Sequence, residues 1–253
     1  LIKKFKEFIF QNYLEKKLYM IGCSHLLNAR KNYKNIKNIS NAEFKIYSQN
    51  GEDGILDYLT YSLGIERPKF LEIGIGDYSE SNTRFIFERT STKGMVIDCI
   101  KDLERKIKER IKVWKGDLKI INNKISSENA LKILNQDNML KNLDLFSIDI
   151  DGVDYWILNK LPNFFSKIVV LEYNPTFGFD LEVTTPNIPN FDRAKYHYSN
   201  LCFGMSFKAA VNLMDKKGFY FVGSNFLKNN AFFISKKYKK DRYLKNLKID
   251  KSK

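Results

Sequence analysis

Two apolar runs, each ending in acidic and glycine residues, constrain the fold of this chain most. The first is Phe70-Leu-Glu-Ile-Gly-Ile-Gly-Asp77, and the second is Ser147-Ile-Asp-Ile-Asp-Gly-Val-Asp154. Short apolar runs bounded by turn residues are typical of buried strands in a parallel sheet. Because ligands bind outside the carboxyl ends of such strands, these two ends predict a binding site.

Strand-like and helix-like segments alternate through most of the chain. We predict strands at 69–75, 94–97, 111–114, 143–150, 167–172, 219–224 and 231–235, and helices at 52–64, 81–89, 103–110, 128–134, 155–161 and 207–217. This alternation favours an α/β fold with a doubly wound, Rossmann-like, mostly parallel seven-stranded sheet. The short asparagine-rich connection between the last two strands predicts an antiparallel strand at the sheet edge.

The two ends of the chain differ from its centre. Phe5, Phe8 and neighbouring apolar residues fall near helical spacing and predict an amphipathic helix that docks on the domain, pairs with another subunit or lies on a membrane surface. We predict an N-terminal helical extension at 1–46, one domain at 47–236 and a basic tail at 237–253. No apolar run is long enough to cross a bilayer, and no signal-peptide pattern is present.

Charge and cysteine content limit the classes of function. The formal net charge is +14, but the lysines are scattered, which favours a surface that attracts anionic small molecules over a nucleic-acid interface. The three cysteines are far apart and only two histidines occur, so no zinc framework is available. Such cysteines are typical of reduced thiols and predict a cytoplasmic protein.

The turn after the first strand predicts a cofactor that is not a dinucleotide. Gly74 and Gly76 allow a tight turn and a close approach by a ligand. The fingerprint Gly-x-Gly-x-x-Gly is not met, because Ser79 stands where the third glycine would be. Glu72 fits a cationic amino-acid end of a cofactor better than a pyrophosphate.

Two further acids are placed to bind a nucleoside. Asp98 follows the second strand, where it can accept hydrogen bonds from ribose hydroxyls, as such an acid also does in NAD enzymes. Asp117 follows the strand predicted at 111–114 and is placed to bond an adenine amino group.

Carboxylates also end the fourth and fifth predicted strands. Asp149 and Asp151 can both reach the cleft if the chain turns at Gly152. Glu172 and Asn174 end the adjacent strand and can complete an oxygen-rich site for Mg²⁺ or Mn²⁺. The alternative for the two aspartates is a role in turn formation and helix capping.

In this order, the motifs resemble those of class I S-adenosylmethionine-dependent methyltransferases, and the wider pattern is similar to that of FkbM-type sugar O-methyltransferases of polysaccharide and capsule gene clusters. The matching segments are 47–54, 70–74, 81–83, 149–156, 170–175 and 230–234. The resemblance implies methyl transfer to a sugar hydroxyl of a nucleotide-linked sugar or glycan intermediate, including a capsular heptose. It implies a set of S-adenosylmethionine-binding residues: Gln49, Glu72, Gly74, Gly76, Asn82, Thr83, Asp98, Asp117 and Asp149.

The related macrocin-type sugar O-methyltransferases suggest roles for the carboxylates. By that analogy Asp149, Glu172 and Asn174 are metal ligands and Asp151 is the general base. The chain departs from that family in having Glu-Tyr-Asn where adjacent acidic side chains are expected. His197, in the irregular segment 175–200 that is expected to form much of the acceptor pocket, is the alternative base.

Two other functions stay open at the level of sequence. A methyltransferase that acts on nucleic acid would explain the charge, and a non-catalytic cofactor-binding scaffold would explain the fold. The oligomeric state is also open, with a homo-oligomer as one alternative.

Overall fold

We describe the protein from a computed structural model that covers residues 2–188, 190–238, 244, 247 and 248. The side chains of Phe5 and Phe8, which belong to the predicted amphipathic face, and most of the predicted tail at 237–253 lie outside the described part of the chain.

Seven strands form one sheet. Their bounds are β1 Phe70–Ile73, β2 Lys93–Asp98, β3 Asp117–Asn122, β4 Leu145–Ile148, β5 Ile168–Glu172, β6 Phe219–Ser224 and β7 Asn230–Ser235. The order across the sheet is β3-β2-β1-β4-β5-β7-β6. All adjacent pairs from β3 to β5 are parallel, whereas β7 runs antiparallel to both of its neighbours. The predicted mostly parallel seven-stranded sheet is confirmed. The antiparallel strand is β7, and β6 lies outside it at the edge of the sheet.

Eight helices accompany the sheet in the described residues. They are α1 Ile2–Asn32, α2 Glu52–Ser62, α3 Arg84–Thr90, α4 Leu103–Arg110, α5 Ala130–Leu134, α6 Asp154–Lys160, α7 Arg193–Tyr196 and α8 Phe207–Lys216. Short 3₁₀ turns connect several of them, including Pro175–Phe177 directly after β5.

Side-chain alternation along the strands places apolar residues on both faces of the sheet. In β1, Leu71 and Ile73 pack with α5, α6 and α8, whereas Phe70 packs with α2, α3 and α4. Successive residues of a strand point to opposite faces, so a run that is apolar at every position is covered on both sides. The sheet is therefore doubly wound, as predicted.

The position of β3 differs from the sequence-based prediction. The strand covers Asp117–Asn122, whereas the segment predicted as a strand at 111–114 leads into a 3₁₀ turn at Val113–Lys115, where Trp114 is exposed. Since β3 is an edge strand, its residues are mostly half-buried and include Lys119. This mixed pattern is a weaker strand signal than the apolar Ile111-x-Val-Trp run before it.

The C-terminal end of α1 is attached to the body by buried charge. Asp57 of α2 is fully buried and accepts hydrogen bonds from Arg30, from the Tyr33 hydroxyl and from Arg89 of α3. Docking on the domain therefore holds for this end of the helix. The boundary placed at 46/47 stays a prediction. In the part of the chain that is described, no helix combines the length and apolar character needed to cross a membrane.

Candidate active site

Residues that follow five neighbouring strands line one cavity of about 750 Å³. They include Gly76 after β1, Asp98 at the end of β2, Asn123 after β3, Asp149 after β4 and Glu172 at the end of β5. Parallel strands present their carboxyl ends at one edge, so residues far apart in sequence can contact one ligand. The volume is in the range of about 300–1,000 Å³ typical of small-molecule sites.

The two positions after β1 are occupied by glycine for different structural reasons. At Gly74, where φ is +82°, a Cβ atom would lie 1.6 Å from the carbonyl oxygen of Asp149, so the loop after β4 approaches too closely for a side chain. At Gly76, where φ is +54°, nothing lies within 4 Å of the Cβ position, and this residue lines the cavity. Gly74 therefore permits contact within the protein, and Gly76 leaves space on the ligand side.

Glu72 serves the loop behind this turn and does not line the cavity. Its buried carboxylate accepts hydrogen bonds from the Ser81 hydroxyl at 2.6 Å, the Asn82 N–H at 2.9 Å and the Thr83 N–H at 3.0 Å. Burial raises the pKa of Glu72, and these hydrogen bonds oppose the shift. Asn82 also donates from its side chain to the Ser147 hydroxyl. The structure therefore brings none of the predicted cofactor residues Glu72, Asn82 and Thr83 to the cavity, because they bind one another or the sheet.

Asp98 does line the cavity and is held rigidly. One carboxylate oxygen accepts from the Gly76 N–H at 2.8 Å, and the other accepts from the N–H groups of Cys99 and Ile100. A carboxylate oxygen has two lone pairs, so acceptor capacity toward a ligand remains.

Asp117 lies at the opposite edge of the sheet, which corrects its predicted role at the adenine. It is the first residue of β3 rather than a residue beyond a strand, and its carboxylate pairs with Lys93 at 3.0 Å. Asn123 lies instead at the carboxyl edge, where Asp117 was expected, and it lines the cavity. Its N–H donates to the backbone oxygen of Asp98 at 3.0 Å.

The motif at 47–54 forms a loop whose acids are used internally. Asp53 accepts hydrogen bonds from the N–H groups of residues 46–48, and burial raises its pKa to about 6. Glu52, the first residue of α2, accepts from the side chains of Asn225, which directly follows β6, and Asn230, the first residue of β7. Held in this way, the loop places Gln49 in the cavity wall, as the sequence predicts for a cofactor contact.

Three carboxylates form a cluster at the floor of the cavity. Asp149, Asp151 and Glu172 each have an oxygen atom within 4.8 Å of those of the other two. The turn between them is held by Asp154, which accepts from the N–H groups of Ile150 and Gly152 at 3.0 Å. Asp154 therefore orders the loop after β4 and does not join the cluster.

Burial and mutual repulsion perturb this cluster strongly. They raise the pKa of Glu172 to about 10 and that of Asp149 to about 7, and the two carboxyls interact directly. Burial also raises the pKa of Asp151, but the positive charge of Arg193 opposes that shift. The pKa shifts therefore favour a protonated Glu172 that can donate to Asp149, whereas the Asp151 carboxylate is paired with the positive charge of Arg193.

The donor set fits a divalent cation of the Mg²⁺ or Mn²⁺ type, which prefers oxygen ligands and would offset this repulsion. Among the described residues, no other group of three or more acidic, histidine or cysteine side chains lies so close together. The structure does not bring Asn174, a predicted ligand, to the cluster. Its buried amide donates to the carbonyl oxygens of Leu201 and Phe203, and its oxygen accepts from Thr176, so it holds the segment after β5.

His197, the alternative base, is not among the residues that line the cavity. It is exposed and its ring nitrogen bonds the Ser199 hydroxyl at 2.7 Å, so the structure does not bring it to the carboxylates. Asp151 is left as the candidate base that lines the cavity.

The segment 175–200 covers one side of the cavity. The Thr185 hydroxyl donates to the carbonyl of Gly152, and the Trp156 indole donates to the carbonyl of Thr185, both at 2.7 Å. From this segment Arg193 reaches Asp151, with 2.5 Å between Nη1 and Oδ1. Sequence reasoning missed Arg193, although it is the only arginine of the predicted acceptor segment.

No protein-family model and no curated protein matches this chain. Similar solved structures include a candidate RNA methyltransferase from Pyrococcus horikoshii (13% identity, 73% of this chain and 83% of that chain, TM-score 0.42). Another is an O-methyltransferase family protein from Burkholderia thailandensis (8% identity, 72% of this chain and 57% of that chain, TM-score 0.42).

Proposed function

We propose that this chain is an S-adenosylmethionine-dependent O-methyltransferase whose acceptor is a sugar hydroxyl. The observation that supports this most is the meeting of the glycine turn after β1, Asp98 and the carboxylate cluster in one cavity. The glycine turn and Asp98 suit a nucleoside cofactor, and the cluster suits removal of a proton from an acceptor.

The cavity has residues that would hold the cofactor. Gly76 leaves room for it, Asp98 would accept hydrogen bonds from ribose hydroxyls, and Gln49, which also lines the cavity, offers an amide. S-adenosylmethionine supplies a methyl group bonded to a positively charged sulfur.

Asp151 is the proposed general base. In methyl transfer the acceptor oxygen would bond to the methyl carbon as the carbon–sulfur bond breaks and S-adenosylhomocysteine leaves. Asp151, whose carboxylate pairs with Arg193 in the cavity, would accept the hydroxyl proton. Asp149 and Glu172 would hold Mg²⁺ or Mn²⁺, which lowers the pKa of a hydroxyl next to it. The segment 175–200 would surround the acceptor, and a nucleotide-linked sugar or glycan intermediate of surface polysaccharide synthesis fits this site in a basic chain.

The deciding experiment is calorimetric titration with S-adenosylhomocysteine. We expect micromolar binding that Asp98→Asn weakens at least tenfold, since a hydrogen bond to a charged group contributes about 1.5–3 kcal/mol. Asp117→Asn is the matched control, because Asp117 lies at the other edge of the sheet, and it should leave the affinity unchanged. No binding of S-adenosylhomocysteine to the wild type would disprove the methyltransferase proposal.

The metal is tested separately by Mn²⁺ titration. We expect Glu172→Gln to lose Mn²⁺ binding, while Glu128→Gln, an exposed residue of the same cavity, retains it. Turnover that is unaffected by a chelator would show that the reaction needs no metal, and it would not affect the cofactor assignment.

The acceptor is tested last, with tritiated S-adenosylmethionine and a panel of nucleotide sugars, RNA and DNA. Label in a sugar supports the proposal, whereas label in RNA or DNA would show that the chain is a nucleic-acid methyltransferase instead. Cofactor binding without transfer to any member of the panel would favour a scaffold.

A further inference from the structure

We infer that Arg193 binds a phosphoryl group of the acceptor, and that Asp151 is its counter-ion until the acceptor arrives. This inference rests on the proposed function, because it assigns the acceptor of that same site. Both residues line the cavity, and their side chains form an ion pair of 2.5 Å there.

Arg193 has unused hydrogen-bonding capacity. A guanidinium carries five N–H donors. In the described part of the chain, the hydrogen bond to Asp151 is the only one that the Arg193 side chain donates. Its guanidinium also lies over the ring of Phe203. Its side chain is 40% exposed, whereas the structural arginine Arg84 is 2% exposed and binds Glu15, Glu88 and two backbone carbonyls.

The charge of the cavity makes Arg193 a selective contact. Its lining contains five acidic side chains: Asp98, Glu128, Asp149, Asp151 and Glu172. Two basic side chains, Lys124 and Arg193, are present among the described lining residues. An anionic acceptor entering this site therefore needs a cation, and Arg193 is the one that touches the proposed base.

Asp151, which pairs with Arg193 before the acceptor binds, indicates which kind of anion can replace it. A neutral sugar hydroxyl cannot displace a carboxylate from a guanidinium, and an acceptor carboxylate would only exchange one monoanion for another. A phosphate monoester carries a charge of about −1.5 to −2 and three acceptor oxygens, and a diphosphate linkage carries one negative charge on each of its two phosphorus atoms, so exchange of Asp151 for either is favourable. Asp151, released from Arg193, is then free to accept the proton of the acceptor hydroxyl.

The predicted selectivity follows from this exchange. A phosphorylated or diphosphate-linked sugar both binds Arg193 and releases the base, whereas a free sugar does neither. Arg193 is thus a specificity-determining residue and Asp151 its switchable partner.

The test is calorimetric titration with inorganic pyrophosphate in the presence of EDTA. We expect Arg193→Gln to weaken pyrophosphate binding at least tenfold and Asp151→Asn to strengthen it severalfold, because removal of the counter-ion frees the guanidinium. The double variant should bind as weakly as Arg193→Gln. Lys195→Gln, on the same short helix but 86% exposed, is the control and should match the wild type.

Each preparation is also titrated with S-adenosylhomocysteine, which separates the two proposals. If S-adenosylhomocysteine binds all variants alike and pyrophosphate binds Arg193→Gln as well as the wild type, this inference is wrong and the proposed function stands. Absence of pyrophosphate binding to both the wild type and Asp151→Asn at millimolar concentration also overturns it. If S-adenosylhomocysteine does not bind the wild type, the proposed function itself fails.

A final arm identifies the source of the phosphoryl group among compounds that satisfy the inference. A nucleoside diphosphate that binds at least tenfold more tightly than pyrophosphate indicates a nucleotide-linked sugar. Equal binding indicates a sugar phosphate or a lipid-diphosphate sugar.

Discussion

At the residue scale, the backbone at Gly74 shows how closely the loops after β1 and β4 approach each other. The Asp149 carbonyl oxygen occupies the space of a Cβ, and the left-handed φ of +82° disfavours any other residue. The position of the carboxylate cluster therefore depends on a glycine that itself does no chemistry.

We predict that Gly74→Ala is strongly destabilising. Relief of the 1.6 Å contact requires the loop that carries Asp149 to move, in addition to the strain of about 1–2 kcal/mol for a left-handed alanine. Gly64→Ala is the matched control, since Gly64 also has a positive φ but nothing lies within 4 Å of its Cβ position. Urea unfolding should show a loss at Gly74 that exceeds the loss at Gly64, and equal losses would contradict the close approach.

A second residue-scale prediction concerns pH and Glu172. Its pKa is raised from 4.5 to about 10, so the folded state holds a proton that the unfolded state has released. This contribution to stability is fully present below pH 4.5 and is lost as pH rises toward 10. Glu172→Gln removes the titration, so the variant should gain stability relative to the wild type as pH increases. Unfolding at pH 5, 7 and 9 in EDTA measures this, and a difference that does not change with pH would refute it.

Residues at strand ends could be predicted from sequence better than residues in loops. Asp98, Asp149 and Glu172 end buried apolar runs, so the sheet itself determines where their side chains lie. The surroundings of Asn174 and His197 depend instead on how a long irregular segment folds back, and no local pattern specifies that. The pairing of Arg193 with Asp151 across 42 residues is of the same kind.

At the scale of elements, the segment 175–200 is tied down by a few buried polar contacts. Asn174 is fully buried and binds the backbone at Leu201 and Phe203, and Thr185 joins the segment to the loop after β4. The cavity wall that these contacts support belongs to a connection, whose regular structure in the described residues is limited to the short helix α7, a 3₁₀ turn and a bridge between Thr184 and Met205. The misplaced prediction for β3 has a related cause, because an edge strand needs fewer apolar residues than a central one.

We predict that Asn174→Ala loosens this segment while the sheet stays folded. Loss of a buried hydrogen-bonding partner costs about 1–3 kcal/mol. Here it destabilises the packed conformation of the segment relative to its locally unfolded one. Limited proteolysis with mass-spectrometric mapping should show cleavage at 175–204 about tenfold faster than in the wild type, with unchanged affinity for S-adenosylhomocysteine. Asn212→Ala, which removes an exposed contact to Glu182 of the same segment, should not change the cleavage rate. Cleavage of Asn174→Ala at the wild-type rate would show that the segment does not depend on Asn174.

At the scale of the whole molecule, α1 is joined to the body by an apolar patch, which includes Leu26, and by a charge network. Asp57 is completely buried between Arg30 of α1 and Arg89 of α3. Several apolar residues of the same helix stay exposed, among them Met20, Ile21 and Leu27. The doubly wound sheet could be predicted because its signal is repeated in every strand, whereas this attachment rests on single residues.

We predict that Asp57→Asn lowers the free energy of unfolding by about 3–5 kcal/mol, because it leaves two partly buried guanidinium groups without their counter-charge. Asp102→Asn, which alters an exposed pair with Arg105, should cost less than about 1 kcal/mol. Urea unfolding compares the two variants. A loss of stability at Asp57 no larger than that at Asp102 would mean that the network does not hold the helix.

The order of the strands has a consequence for biosynthesis. β7 lies between β5 and β6, although it is the last strand along the chain. Its first residue, Asn230, binds Glu52, which is 178 residues earlier, and the preceding residues Leu227 and Asn229 line the cavity. A ribosome that has released the chain only as far as β6 has therefore produced a sheet whose β5 edge is open, which is the kind of surface that chaperones cover. The part of the cavity wall that Leu227 and Asn229 form is therefore completed only after β7 has left the ribosome and entered this gap.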